Sequence, residues 1–377
     1  MPVRESASTR IQFASSQSRL RRLRTWGVVP GAAAALAVSV LTGCGAPSDD
    51  ALSSIVRTTT NIAGAGVVGI ERDTRTACGL PGSADPAAGA TRSITGSAGT
   101  AEVPADPKRI VVLSTAALDA VCGVGLWERV VGAATVSGLT DDAGKPTPQP
   151  TYLGTGVAAI PGVGLVGAAD PAKIAELKPD LILGGETEGA AYESLKSIAP
   201  TVLVGADGGW QAQFTRYAEA MGRRTAAAKA LEDYRTAAKD AGTAANSSLT
   251  QASVVRFGAQ DIQVQGGNSF AGQVLGDAGV QRPAAQRAGS FDVGSDLSAQ
   301  ATRNKLEGDV LYVMFDGPEG LKFGKSELKS DDWKELGVVG DHRMFAVDDS
   351  IWHGSGITAA RALLVDMSKS LNAYVGD

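Results

Sequence analysis

Asp170-Pro171-Ala172-Lys173-Ile174-Ala175-Glu176-Leu177-Lys178-Pro179-Asp180-Leu181-Ile182-Leu183 holds a helix start, a helix stop and a strand in one short span. Asp170 can accept from the orphan N–H groups of a first helical turn, and Pro171 has its φ preset for the position that follows. Ile174 and Leu177, three apart, share one face. Pro179 cannot continue the helix. Leu181-Ile182-Leu183 is then apolar without alternation, the pattern of a strand covered on both faces. A helix feeding directly into a fully buried strand is half of a βαβ unit, so the stretch predicts an α/β fold with a mostly parallel sheet.

The same grammar extends in both directions. Upstream, Pro107-Lys108-Arg109 leads into the apolar run Ile110-Val111-Val112-Leu113, and Ser114 then opens a helix with Leu118, Val121 and Cys122 on one face. Downstream, a helix carrying Tyr192, Leu195 and Ile198 ends at Pro200 before the strand Thr201–Val204. Trp210 to about Ala245 contains no proline and only two glycines, Gly222 and Gly242, among many Ala, Glu, Lys and Arg, which predicts one long helix. Alternation then resumes with strands at Ser253–Phe257, Asp261–Val264, Asp309–Met314 and Met344–Val347, and an amphipathic helix closes the chain at Thr358–Leu371. The halves rhyme: Leu177-Lys178-Pro179-Asp180-Leu181-Ile182 matches Leu306-Glu307-Gly308-Asp309-Val310-Leu311 as helix end, turn and strand. The expected organisation is a leader (1–43), a tether and irregular extension (44–105), an N-terminal α/β lobe (106–209), a bridging helix (210–249) and a C-terminal α/β lobe (250–377). The fold class is thus α/β, two Rossmann-like lobes bridged by a single long α-helix.

The leader sets the compartment. Arg19, Arg21, Arg22 and Arg24 precede an apolar run from Val28 to Leu41, the parts of a secretory signal. The run is shorter than the roughly 18–20 residues a spanning helix needs. Leu41-Thr42-Gly43-Cys44 resembles a bacterial lipobox, which implies cleavage before Cys44, a lipid on its sulfur and a place on the extracytoplasmic face of the cell membrane. Losing a leader of six arginines and one glutamate moves the formal charge from −5 to −10, so nucleic acid is a poor partner. Cys78 and Cys122 remain, an even count that an oxidising compartment can pair; the other reading makes Cys122 a buried free thiol.

Several stretches resemble siderophore-type substrate-binding proteins of ABC transporters, the class III periplasmic-binding-protein fold. Val103-Pro104-Ala105-Asp106-Pro107-Lys108-Arg109-Ile110-Val111-Val112-Leu113 and Lys173 to Leu183 look like the first lobe of that family. Gly266-Gly267-Asn268-Ser269-Phe270, with Val274-Leu275 and Ala278-Gly279-Val280 after it, looks like the second lobe's opening loop and helix. Within the family the chain looks closest to the iron(III)-dicitrate-binding lipoprotein branch. The resemblance implies a ligand held between two lobes on a rather rigid helix. Members coupled to a permease carry a surface glutamate on each lobe; here the first would fall near Ala168, and Gly294-Ser295-Asp296-Leu297-Ser298 offers only an aspartate.

Catalytic and cofactor motifs do not assemble. Gly64-Ala65-Gly66-Val67-Val68-Gly69 and Gly162-Val163-Gly164-Leu165-Val166-Gly167 spell G-x-G-x-x-G, but neither runs from a strand into a helix, so both read as loops and no dinucleotide is expected. With His342 and His353 as the only histidines and no Cys-x-x-Cys, no resident metal or cofactor is expected. Ligands of open α/β sheets collect beyond the carboxyl ends of strands. That rule selects Ser114, Glu186, Trp210, Asn268, Phe270, Phe315, Trp352 and His353 as ligand-binding candidates, with Tyr152 from the loop after Pro148-Gln149-Pro150. Scarce aromatics at such positions suit catecholate, aryl-capped or porphyrin ligands. Arg256 and Arg361 are weaker candidates.

The expected function is a monomeric, lipid-anchored binding protein for a ferric siderophore or other iron chelate, with haem as a second ligand, presented for uptake through an ABC permease. The rival is an envelope scaffold that keeps the fold but acts through envelope proteins. An enzyme would have to be built from Glu186, Glu188 and His353, which form no recognisable catalytic set.

Overall fold

The computed structural model describes residues 57–69, 77–137, 139, 147–294 and 296–376. The leader and the lipidation residue Cys44 lie outside the described residues. In chain order come β1 (Arg57–Thr58), β2 (Asn61–Ile62), β3 (Ala65–Val67) and the hairpin β4 (Thr91–Gly96) and β5 (Gly99–Pro104). The first large sheet and its helices follow: β6 (Ile110–Val112), α1 (Thr115–Gly123), β7 (Val130–Thr135), α2 (Thr155–Ala158), β8 (Gly162–Leu165), β9 (Ala168–Ala169), α3 (Pro171–Glu176), β10 (Leu181–Gly185), α4 (Tyr192–Lys196) and β11 (Thr201–Val204). Helices α5 (Gly209–Ala220) and α6 (Arg224–Ala244) then lead to β12 (Ala252–Phe257), β13 (Ile262–Val264), α7 (Phe270–Asp277), β14 (Phe291–Asp292), α8 (Gln300–Arg303) and β15 (Val310–Phe315). Last come α9 (Gly317–Glu327), α10 (Asp331–Lys334), α11 (Gly337–Gly340), β16 (Met344–Ala346), α12 (Asp349–Trp352), α13 (Ile357–Ser370) and β17 (Tyr374–Val375).

Two sheets result, ordered β11-β10-β6-β7-β8-β9 and β14-β13-β12-β15-β16-β3-β2, each parallel at its centre and antiparallel toward an edge. The alternation of side chains along a strand divides each sheet between two cores. Ile110, Val112, Leu181 and Leu183 of the first sheet face the same core as Val254, Tyr312 and Met314 of the second. That shared core is filled by α1, α5, α6, α7 and α13, through residues such as Leu118, Phe214, Leu231, Val274 and Leu363. Val111 and Ile182 face outward onto Ile174 and Leu195, while Val255 and Val313 face outward onto Leu328 and Trp333. The order through the molecule is therefore outer helices, sheet, central helices, sheet, outer helices.

The rhyming turns have a common task. Asp180 accepts from the N–H groups of Lys108 (2.7 Å) and Arg109 (2.9 Å), just before β6. Asp309 accepts from the N–H of Gln251 (2.6 Å), just before β12. Each aspartate ties the start of its own strand to the start of the parallel neighbour, where a sheet would otherwise fray.

Three expectations are corrected. The long helix is two: α5 ends at Gly222, whose φ of 65° belongs to the left-handed region, with Gly222 N–H bonded to Glu219 and Arg223 N–H to Ala218. That is a Schellman stop, and glycine suits its C′ position because it has no Cβ. A Cβ on Gly222 would lie 1.7 Å from Arg92 Nη1. The new start at α6 is capped from far away, by Asp85 accepting from Arg224 N–H (2.6 Å) and Thr225 N–H (3.0 Å). Nor is the extension irregular throughout: β3 adds parallel to β16, β1 pairs with β17, and the β4–β5 hairpin lies against β11. The two glycine strings also form strands, Gly64 turning into β3 and Gly162–Leu165 making β8 of an edge hairpin. Local propensity could not reveal partners so distant in sequence. Cys78 and Cys122 do form a disulfide, with Cα atoms 4.5 Å apart, and it fastens the extension to α1.

Candidate functional site

Two chambers sharing Ser355 form the candidate cleft: the smaller lies at the carboxyl ends of β6, β7, β12, β15 and β16, and the larger beyond β11 and β13. The larger has a volume of about 500 Å³ and is walled by the first turns of α5 and α7 with the loops before them. Both helices begin with the same pattern, Trp210-Gln211-Ala212-Gln213 and Phe270-Ala271-Gly272-Gln273. Residues three apart share a helix face, so an aromatic ring and a carboxamide from each helix line the chamber together. Trp210 and Phe270 meet edge to face with ring centroids 5.8 Å apart, and Tyr234 packs behind Trp210 at 5.0 Å. Trp210 Nε1 is buried without an acceptor. Gly208 and Gly209 turn the chain into α5 at φ 80° and 78°, and a Cβ on Gly209 would lie 2.6 Å from Gln273 Oε1. Both positive φ values lie in the region that glycine adopts without strain.

The cleft floor is held by a network from three helices. Asp277 of α7 accepts from Tyr234 Oη of α6 (2.8 Å) and Gln211 Nε2 of α5 (3.0 Å), and Arg235 donates to Gln211 Oε1 (2.8 Å).

The smaller chamber, about 240 Å³, lies between Thr115, Val136, Ser137 and Pro150 on one side and Arg256, Asp316, Asp349 and His353 on the other. Arg256 forks onto Asp349 (Nε–Oδ1 2.6 Å, Nη2–Oδ2 2.9 Å) and reaches Asp316 Oδ1 at 2.9 Å. Burial opposes the charge on Arg256, but the two carboxylates outweigh it and raise its pKa. His353 is exposed at the mouth yet crowded enough that burial, reinforced by Arg256, lowers its pKa against the pull of Asp349 and Asp316. The imidazole is therefore neutral at pH 7.

Of the candidates read from sequence, Trp210, Asn268 and Phe270 line the larger chamber and His353 the smaller. The others fall elsewhere. Tyr152 is buried, donating to Asp119 Oδ2 at 3.1 Å, and Trp352 is buried against Tyr312 (centroids 4.3 Å apart) with Nε1 on Asp366. Both rings are core, because the helical layer between the sheets extends right up to the loops that carry them. Phe315 stacks on Phe257 over the outer core of the second sheet. Ser114 caps α1 through Ala117 N–H and bonds Tyr217 Oη. Glu186 is exposed in a separate crevice beside the β4–β5 hairpin. Arg361 donates to the Ala230 carbonyl, away from the cleft. Gln213, Gln273 and Ser355 also line the larger chamber; the repeated aromatic-x-x-Gln is the sequence signal that points to the first two. Among the described residues no group of three or more His, Cys, Asp or Glu is placed to hold a metal ion.

Comparison with known proteins places this geometry. A model of the periplasmic binding protein family matches residues 110–338. The protein named "Probable siderophore-binding lipoprotein YfiY" of Bacillus subtilis (strain 168) is 31% identical over 294 residues, covering 74% of this chain and 86% of that protein. Among solved structures, Staphylococcus aureus SirA complexed with staphyloferrin B superposes with a TM-score of 0.61 at 23% identity, covering 75% of this chain and 99% of SirA. The petrobactin-binding protein YclQ of Bacillus subtilis gives 0.59 at 21% identity, covering 74% and 98%. At that identity the structural likeness shows the fold.

Proposed function

Because this chain belongs to the periplasmic binding protein family, we propose that it is a lipid-anchored extracytoplasmic protein that binds a ferric siderophore in the cleft and presents it for uptake. It is a binding protein and not an enzyme, as its family is. The observation that carries the ligand reading is the larger chamber, where two rings and two carboxamides converge from both sides of the cleft on a space of about 500 Å³. Pockets of roughly 300–1,000 Å³ with apolar walls and a few placed polar groups suit ligands of siderophore size. Iron would be held by the chelator's own oxygens. The siderophore-binding name of YfiY supports the same ligand class.

Anchoring through Cys44 rests on the leader and on the lipoprotein names of YfiY and a second Bacillus subtilis relative. Among the described residues no helix is long and apolar enough to cross a membrane. A permease would be the partner of uptake, with docking that differs from the two-glutamate pattern: Ala168 stands exposed on the β8–β9 hairpin, and Asp296 is exposed in the stretch that offers the second position. The test is titration of the lipid-free protein with ferric siderophores and haem, read by tryptophan fluorescence. Saturable quenching by a ferric siderophore, abolished or weakened in Trp210→Ala, is expected. No binding of any ferric chelate would refute the proposal.

A further inference from the structure

We infer that the cleft selects ferric chelates with no net negative charge, the trihydroxamates above all, and that Asp316 and Asp349 enforce this by neutralising the cleft's arginine. The inference rests on the proposed siderophore site and specifies its ligand class. The chemistry of the chelates separates them by charge. Ferric iron held by three hydroxamates, each a monoanion, is neutral at its centre. Three catecholates, each a dianion, leave a charge of −3, and iron citrates are also anionic.

An anionic complex drawn out of water needs positive partners or pays heavily for its lost hydration. The larger chamber offers none: among its described lining residues no side chain is charged. Gln213, Asn268 and Gln273 supply neutral polar groups, Gln273 already donating from Nε2 to the Asn268 carbonyl (2.9 Å). Carboxamides match the carbonyl and N–O oxygens of hydroxamates, and the two rings match the methylene linkers between them.

The smaller chamber holds Arg256, but that charge is already committed. Nε and Nη2 are held by Asp349 and Nη2 also reaches Asp316, so the described cluster sums to −1 with His353 neutral. The start of α5, which has no side-chain cap, and the start of α7 add partial positive charge at the chamber wall. Helix ends carry at most about half a charge each, enough to orient a carbonyl oxygen and too little to balance −3. This argues against the iron-dicitrate reading that the sequence resemblance suggests.

The experiment uses the lipid-free protein titrated with ferrioxamine B and ferrichrome as trihydroxamates, ferric enterobactin as a tricatecholate, and ferric dicitrate. The trihydroxamates should bind at least about tenfold more tightly than either anionic chelate. Asp316→Asn, at an exposed side chain that leaves the Arg256–Asp349 fork intact, should tighten ferric enterobactin several-fold while ferrichrome changes little. The double variant Asp316→Asn/Asp349→Asn should narrow the gap further. Equal or tighter binding of an anionic chelate by the wild type would overturn the inference while leaving siderophore binding standing. A preference for trihydroxamates that Asp316→Asn and the double variant both leave untouched would overturn the role given to the carboxylates. Binding of none of the four would remove the underlying reading as well.

Discussion

Replacing Asp119 tests how the two sheets are joined. The residue lies on α1, against the first sheet, and is fully buried. Its carboxylate accepts from the N–H of Thr358 (2.9 Å) and of Ala359 (2.9 Å) in the first turn of α13, and from Tyr152 Oη (3.1 Å). It is thus an N-cap supplied by another helix, some 240 residues away in sequence. Burial pushes its pKa up, and the bonds from Thr358, Ala359 and Tyr152 pull it back only in part. Alanine here would leave two buried N–H groups and one hydroxyl without their acceptor. Each buried group left unmade costs about 1–3 kcal/mol. Relief from burying a carboxylate offsets part of this, so Asp119→Ala should lose about 3 kcal/mol. For a unit of this size that is a fall of about 4 °C in Tm.

Asp119→Asn keeps an acceptor oxygen and removes the buried charge, so it should lose about 1 kcal/mol or less. The two variants also differ in pH dependence. A carboxyl whose folded pKa is raised contributes stability that is complete below its unfolded pKa of about 3.9 and is lost as pH rises through the folded value. The asparagine variant should lack that decline. Differential scanning calorimetry across pH, with hydrogen exchange at the α13 amides, measures both effects. A loss below 1 kcal/mol for Asp119→Ala, or equal losses for the two variants, would refute the capping argument.

Four other outcomes follow from the same structure. Removing the Cys78–Cys122 disulfide, which closes a separation of 44 residues, should cost about 4 kcal/mol by the chain-entropy model, read from urea unfolding of the double serine variant. Trp352→Ala should lose about 3–5 kcal/mol and leave affinity for a ferric chelate nearly unchanged, whereas Trp210→Ala, also buried but lining the larger chamber, should lose both stability and affinity, as paired calorimetry and titration would show. Asp106 pays for partial burial but is held far below the usual carboxylate range by Lys108, Arg223 and Arg129, so its contribution is present above about pH 4 and lost as pH falls further. Asp106→Asn should flatten the acid limb of the stability profile below pH 4. Finally, small-angle scattering with and without ligand should show little closure of the cleft, because one core fills the space between the sheets.

Most of the fold was legible where its cause is local. Asp170 with Pro171, Ser114 before α1, and the strands at Thr201–Val204 and Ala252–Phe257 follow from capping, proline stereochemistry and apolar runs. The duplicated aspartate turns are visible as a repeat, although only the folded structure shows what Asp180 and Asp309 bond. What escaped depends on distant partners. Gly222 reads as a mild weakness in a helix, yet it becomes a stop because Arg92 and Ala105 crowd it and Asp85 starts a new helix beyond it. β3 is a glycine string until β16 provides an edge to pair with. The site divides in the same manner. Trp210 and Phe270 begin helices at strand ends and line the larger chamber, whereas Tyr152 and Trp352 are buried, because a place at a strand's end says nothing about how far a core extends.

The shared core bears on how such a cleft can discriminate. A binding protein whose lobes close widely can reject a ligand by failing to close. Here α1, α5, α6, α7 and α13 form one packed layer touched by both sheets, and separating or rotating the sheets would have to open it. Interiors at close packing resist such shear, since even small gaps forfeit many contacts. The extension adds further restraint, for it pairs with the second sheet at β3 and is then bonded to α1 by the Cys78–Cys122 disulfide. The break at Gly222 does not loosen this arrangement, because the restart beyond it is bonded to Asp85 through Arg224 N–H and to Asp106 through Arg223 Nη2. With closure confined, discrimination falls to the lining as it stands: neutral amides, two rings and an arginine already paired. Charge on the incoming chelate then decides affinity before shape does.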